Sequence, residues 1–166
     1  MRVWGEKGTN YFIVILASGF GVGYSPIAPG TMGTLLTIPI YYFLSTMPSL
    51  LYELTLLTFF FLSSWISGQA QRYWGKEDDR RIVVDEMMGF LITMLWVPRI
   101  PGLIIVGFLL FRFFDILKPF PIRRIEKRLR GGFGVVLDDV VAGIYGNIIL
   151  QIIWYLILSP GGRGVG

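Results

Sequence analysis

The sequence contains no cysteine and no histidine among its 166 residues. A disulfide framework is therefore impossible. Phosphatase chemistry through a cysteinyl or histidyl phosphate is excluded, as is a zinc site of the usual Cys/His kind. Charge is scarce too: Asp, Glu, Lys and Arg make up 16% of the chain against 54% hydrophobic residues, and the mean hydropathy is +0.63. A water-soluble domain of this size needs more polar surface than that. The groups left for chemistry are carboxylates, amines, guanidinium groups, hydroxyls and backbone amides. Oxygen donors of this kind suit a hard cation such as Mg²⁺. The net charge of +4 is carried by basic residues beside apolar runs. Anionic lipid matches that placement better than nucleic acid does. The opening MRVWGEKGTN does not have the form of a cleavable signal.

Apolar stretches separated by short charged loops predict an all-α fold: a small polytopic membrane bundle of about five helices, forming a single domain over residues 1–166. Residues 11–18, YFIVILAS, are a short apolar segment that Thr9 or Asn10 can cap, spanning only about 12 Å as a helix. The stretch from Gly19 to Thr31, GFGVGYSPIAPGT, is too rich in glycine and proline for regular helix and predicts a fixed re-entrant or cytoplasmic loop. Helices are expected from about Gly33 to Met47, Leu50 to Tyr73, Val83 to just before Pro98, Gly102 to Leu117, and Val135 to Leu158, with Pro160 fraying the last. The first, third and fourth fall short of the roughly 30 Å of a full bilayer crossing. A partly inserted bundle is an open alternative.

Counting cations on alternate sides gives a topology. Arg2, Lys7, Arg72, Lys76, Arg80, Arg81, Lys118, Arg123, Arg124, Lys127, Arg128 and Arg130 fall on one side, Arg99 and Arg163 on the other, and Arg112 inside the fourth helix. The crowded side is cytoplasmic by the positive-inside rule. Asp85 with Glu86, Asp115 with Lys118, Asp138 with Asp139, and the Gly/Pro loop then share that face.

Each motif has a plain reading and a chemical one. Asp85 and Glu86 open an apolar helix, where carboxylates complement the helix dipole or, equally, ligate a cation. Arg112, Asp115 and Lys118 recur at i, i+3 and i+6; ion pairing explains the spacing, but ionisable groups in an apolar span are costly and usually have a task. Asp138 and Asp139 diverge by about 100° around their helix, so one can bind metal while the other orients a ligand or a neighbour. The basic run Ile122 to Gly132 suits anionic head groups, and Arg123 or Arg124 suits a phosphate in particular. Gly30, Thr31 and Thr34 offer amides and hydroxyls beside a helix start, a phosphate cradle or simply a structural turn.

Taken together, the segments GFGVGYSPIAPGTMGTLLTIP, VVDEMMGF, FRFFDILKPFPIRRIE and GGFGVVLDDVVAGI resemble the phosphatidylglycerophosphatase A family across about residues 15–151. The resemblance implies a Mg²⁺-dependent hydrolase, at the cytoplasmic face of the inner membrane, that removes the terminal phosphate of phosphatidylglycerophosphate. Its acidic positions map onto Asp85, Glu86, Asp115, Asp138 and Asp139, expected as catalytic residues and metal ligands. Lys118, Arg123, Arg124 and the Gly30, Thr31 and Thr34 segment are expected at the substrate phosphate. Attack by water, helped by a carboxylate, and an aspartyl-phosphate route both stay open. Two rivals are a CDP-alcohol phosphatidyltransferase, whose Asp-Gly-x-x-Ala-Arg hallmark is absent, and a small ion carrier or channel, which needs polar groups through the whole membrane depth. No protein partner is legible.

Overall fold

The computed structural model describes residues 4–77 and 79–158; Arg2, Pro160 and Arg163 of the topology argument lie outside them. Among the described residues seven α-helices, rather than about five, follow one another: α1 (Trp4–Ala17), α2 (Pro29–Leu44), α3 (Ser49–Trp74), α4 (Val84–Thr93), α5 (Pro101–Leu117), α6 (Ile122–Arg128) and α7 (Gly131–Ile153). A 3₁₀ turn at Val22–Tyr24 precedes α2 and a π turn at Trp154–Leu158 extends α7. No strand occurs among the described residues.

Local chemistry sets most of the boundaries. Pro29 and Pro101 open α2 and α5, where a fixed φ and a missing N–H cost nothing. Gly75 ends α3 in the left-handed region, with its amide returned to the Gln71 carbonyl. Four differences from expectation have physical causes. The short apolar segment extends back through Trp4, so Thr9 and Asn10 lie within α1, and Ile13 and Ala17 pack on Ile66 and Ala70 of α3. The basic run after Pro121 coils into α6, anchored by the fully buried Ile122. Helix α7 starts at Gly131, a turn before Val135, because Gly132 can press against the Ser64 carbonyl and Gly68 backbone of α3 where any Cβ would collide. Helix α4 stops at Thr93, short of Pro98, because Asn147 of α7 donates to the Thr93 and Leu95 carbonyls at 2.9 and 2.8 Å.

Helix α4 is the centre of the molecule. It is apolar almost all round and buried along most of its length, with α7 as its main partner and α2, α3 and α5 beside it. Gly89 and Gly143 permit the α4–α7 approach: a Cβ on Gly143 would strike the Gly89 carbonyl, and one on Gly89 would strike Phe111 and the Asp139 carbonyl. Tyr41, Phe90, Leu103, Phe111, Val136 and Leu150 fill the core around them. The outer faces are apolar as well, with Leu50, Phe61, Ile105, Leu109, Ile148 and Tyr155 all exposed. An apolar surface on this scale fits lipid rather than water. Helix α3 and the continuous run Gly131–Leu156, at 26 residues each, are long and apolar enough to cross a membrane.

Candidate active site

The first turn of α4 projects Asp85 and Glu86 into the bundle, where α5 and α7 meet them with further charge. Asp85, Glu86 and Asp139 each place a carboxylate oxygen within 4.8 Å of the others. Asp85 and Asp139 are buried, and Asp85 Oδ1 accepts the Glu86 amide at 3.0 Å. Arg112, five residues before the end of α5, sits between Glu86 Oε1 at 3.9 Å and Asp115 Oδ2 at 2.6 Å. Asp138 turns away from the trio, and Lys118 Nζ donates to its Oδ2 at 2.8 Å. Asp139 nevertheless lies within electrostatic reach of Asp115, Asp85, Asp138 and Glu86. Carboxylates from three distant places in the sequence thus converge, as counting cations on each side predicts.

The charges do not balance. Five carboxylates face Arg112 and Lys118, and repulsion between like charges in a dry interior is severe. Glu86 Oε2 is buried without a hydrogen-bond partner among the described residues, and so are Arg112 Nε and Nη1, the ion pair to Asp115 notwithstanding. Buried groups of this kind are costly unless a ligand completes them. The set consists of hard oxygen donors, with one carboxylate oxygen unspent, and so fits a divalent cation such as Mg²⁺ held by Asp85, Glu86 and Asp139.

The expected phosphate ligands divide. Gly30 is at the cluster: a Cβ there would collide with the Glu86 carboxylate and stand 3.0 Å from Arg112 Nη1. Gly30 and Thr31 belong to the first turn of α2 rather than to a loop ahead of it, so their amides are among those that a helix leaves unpaired. Thr34 is fully buried one turn further on and donates its hydroxyl to the Gly30 carbonyl at 2.9 Å. Lys118 reaches the cluster through Asp138. Arg123 and Arg124 are exposed on α6; Arg123 donates to the Leu117 carbonyl at 3.2 Å, and the Arg124 guanidinium stacks on Phe120 at 4.7 Å. Sequence reasoning pairs Arg112 with Asp115 on one helix face and gives it no place at the substrate phosphate. Its place between two carboxylates depends on which face of α5 meets α4, and the i, i+3 spacing to Asp115 was the available signal.

The segment leading into α4 is braced separately. Arg81 binds Asp79 through Nε and Nη2, both at 2.8 Å, and lies over Trp74 at 4.3 Å. Those hydrogen bonds from Arg81 hold the Asp79 carboxyl below its ordinary pKa. Gly23 packs on the Arg81 carbonyl, so the turn after α1 and the start of α4 are fixed together.

Known proteins resemble this chain in sequence. A family model described as phosphatidylglycerophosphatase A matches residues 15–154. A Bacteroides thetaiotaomicron protein, provisionally named phosphatidylinositol-3-phosphatase, is 41% identical over 91% of this chain and 99% of its own. Proteins named phosphatidylglycerophosphatase A from Escherichia coli and Haemophilus influenzae are each 39% identical, over 84% and 88% of this chain and 81% and 91% of theirs. No solved structure matches. With the family model covering most of the chain and relatives covered nearly end to end, the chain is an enzyme of the phosphatidylglycerophosphatase A family.

Proposed function

We propose that the protein hydrolyses the terminal phosphate monoester of phosphatidylglycerophosphate at the cytoplasmic face of a membrane that it crosses more than once, giving phosphatidylglycerol and inorganic phosphate. The observation that carries this reading is the trio of buried Asp85, half-buried Glu86 and buried Asp139 at the end of an apolar bundle whose outer faces suit lipid. The acyl chains of the substrate would stay in the bilayer while its head group enters at the start of α4. The names of the relatives and the family favour this substrate over the ion carrier and the phosphatidyltransferase. The name of the Bacteroides relative makes a phosphoinositide the comparison to test.

Asp85, Glu86 and Asp139 would hold Mg²⁺, which when bound neutralises phosphate charge as the P–O bond breaks. The chain itself supplies the rest. The α2 amides at Gly30 and Thr31 and the Arg112 guanidinium offer donors toward the phosphoryl oxygens. A carboxylate of the cluster takes a proton from the attacking water and returns it to the departing glycerol oxygen, which leaves as a hydroxyl. Asp115 restrains Arg112, and Lys118 restrains Asp138, which keeps the neighbouring Asp139 in place.

The test is phosphate release by purified protein from phosphatidylglycerophosphate and from phosphatidylinositol 3-phosphate in mixed micelles, with Mg²⁺ and with a chelator. Release from the first lipid that requires Mg²⁺ is expected. Undiminished release in the chelator would reject the metal role, and preference for the second lipid would reject the substrate.

A further inference from the structure

On the α3 side of α7, with Asp138 on its wall, lies a small cleft of about 60 Å³ lined largely by polar residues. Gln71 near the end of α3, Glu77 after it, and Arg130, Gly131, Gly134 and Asp138 at the start of α7 line it. Gln71 is 7% exposed, and its amide Nε2 has no hydrogen-bond partner among the described residues. A buried donor with nothing to donate to is unfavourable, and in native proteins it usually marks a ligand, ion or water site. Helix α7 begins at this cleft with no side-chain cap, so its first amides are further donors. Acceptors stand opposite them in Glu77 and Asp138.

We propose that this cleft holds the hydroxyl-bearing polyol of the substrate head group and so sets which lipid phosphates are accepted. A hydroxyl both donates and accepts, so a polyol satisfies the Gln71 amide and a carboxylate at once. Asp138 lines the cleft and its neighbour Asp139 belongs to the trio, so the cleft and the trio share one turn of α7. The inference rests on the phosphatase reading, yet it concerns residues outside the reacting centre.

Two variants, Gln71→Leu and Arg130→Ala, are to be compared with wild type in lipid turnover and in competition by glycerol 3-phosphate and by inorganic phosphate. Direct titration of both small ligands by thermal shift completes the set. Gln71→Leu should raise KM and weaken glycerol 3-phosphate by about tenfold, the loss of one well-formed hydrogen bond, while leaving inorganic phosphate inhibition and kcat alone. Its melting temperature should not fall, because a partnerless donor has been removed. Arg130→Ala should move in the same direction by a smaller factor. Equal glycerol 3-phosphate affinity in wild type and Gln71→Leu overturns the proposal, as does a lowered melting temperature with affinities unchanged. Absence of lipid turnover in wild type would sink the phosphatase reading alone; the titrations then decide the cleft, since a Gln71-dependent preference for glycerol 3-phosphate over inorganic phosphate supports it and equal binding rejects it.

Discussion

The two ends of α4 are finished in opposite ways. At the C-terminal end, buried polar groups find protein partners: Tyr52 donates to the Leu91 carbonyl at 3.0 Å, Thr93 to Gly89 at 3.0 Å, Tyr41 to Val97 at 2.9 Å, and Asn147 to Thr93 and Leu95. At the N-terminal end, carboxylates crowd together, and Glu86 Oε2 and two Arg112 nitrogens lack hydrogen-bond partners among the described residues. The same helix, with the same neighbours, is thus completed by protein at one end and left for a ligand at the other. Polar groups at the first end stabilise the fold; those at the second are tolerated for chemistry.

The largest effects should therefore come from the ligand end, without loss of the fold. Asp85→Asn or Asp139→Asn should lower phosphate release by roughly 10³-fold or more, and Asp138→Asn by roughly 10- to 100-fold, because Asp138 is held by Lys118 and acts on Asp139 from behind. Neutralising a member of the trio also relieves repulsion in the absence of metal. The denaturation midpoint of metal-free Asp139→Asn should therefore equal or exceed that of wild type. A markedly unstable Asp139→Asn would erase the contrast between the two ends.

Next in size is a change at the completed end. Asn147→Leu leaves the Thr93 carbonyl without its side-chain donor and the Leu95 carbonyl with only the longer bond from Gln151 at 3.5 Å, at a cost of about 1 to 3 kcal/mol. The unfolding midpoint in detergent should drop accordingly, while KM for the lipid and the Mg²⁺ requirement stay as in wild type. A change in metal dependence would mean that the two ends communicate through α4.

How much of this was legible without coordinates follows the range of the determinant. Helices α3 and α5 were placed to within a residue at each end, since Ser49, Gly75 and Pro101 punctuate the chain locally. Convergence of the acidic pairs was legible because sidedness is additive along a membrane chain. The end of α4 was not, because its terminating donor, Asn147, lies more than 50 residues away. Arg123 and Arg124 were read from charge alone, and charge does not reveal that their contacts run to Leu117 and Phe120. Gln71 gave no signal either, since a glutamine beside an arginine at a helix end reads as solvated surface until α7 covers it.

The smallest effect sharpens the comparison furthest. Tyr52→Phe removes one oxygen from a buried ring and leaves the packing of α3 on α4 intact. The Leu91 carbonyl cannot turn to the helix instead, because α4 has ended and the Leu95 amide bonds to Ile92. The carbonyl is then stranded, and the loss should be about 1 kcal/mol, measured as the shift in unfolding midpoint, with kcat and KM unchanged. Gln71→Leu removes a polar group of comparable burial and should cost nothing in stability while weakening the lipid. Two substitutions of one kind, both on α3, would then differ in consequence for a single reason: the tyrosine hydroxyl has a protein partner and the glutamine Nε2 has none among the described residues.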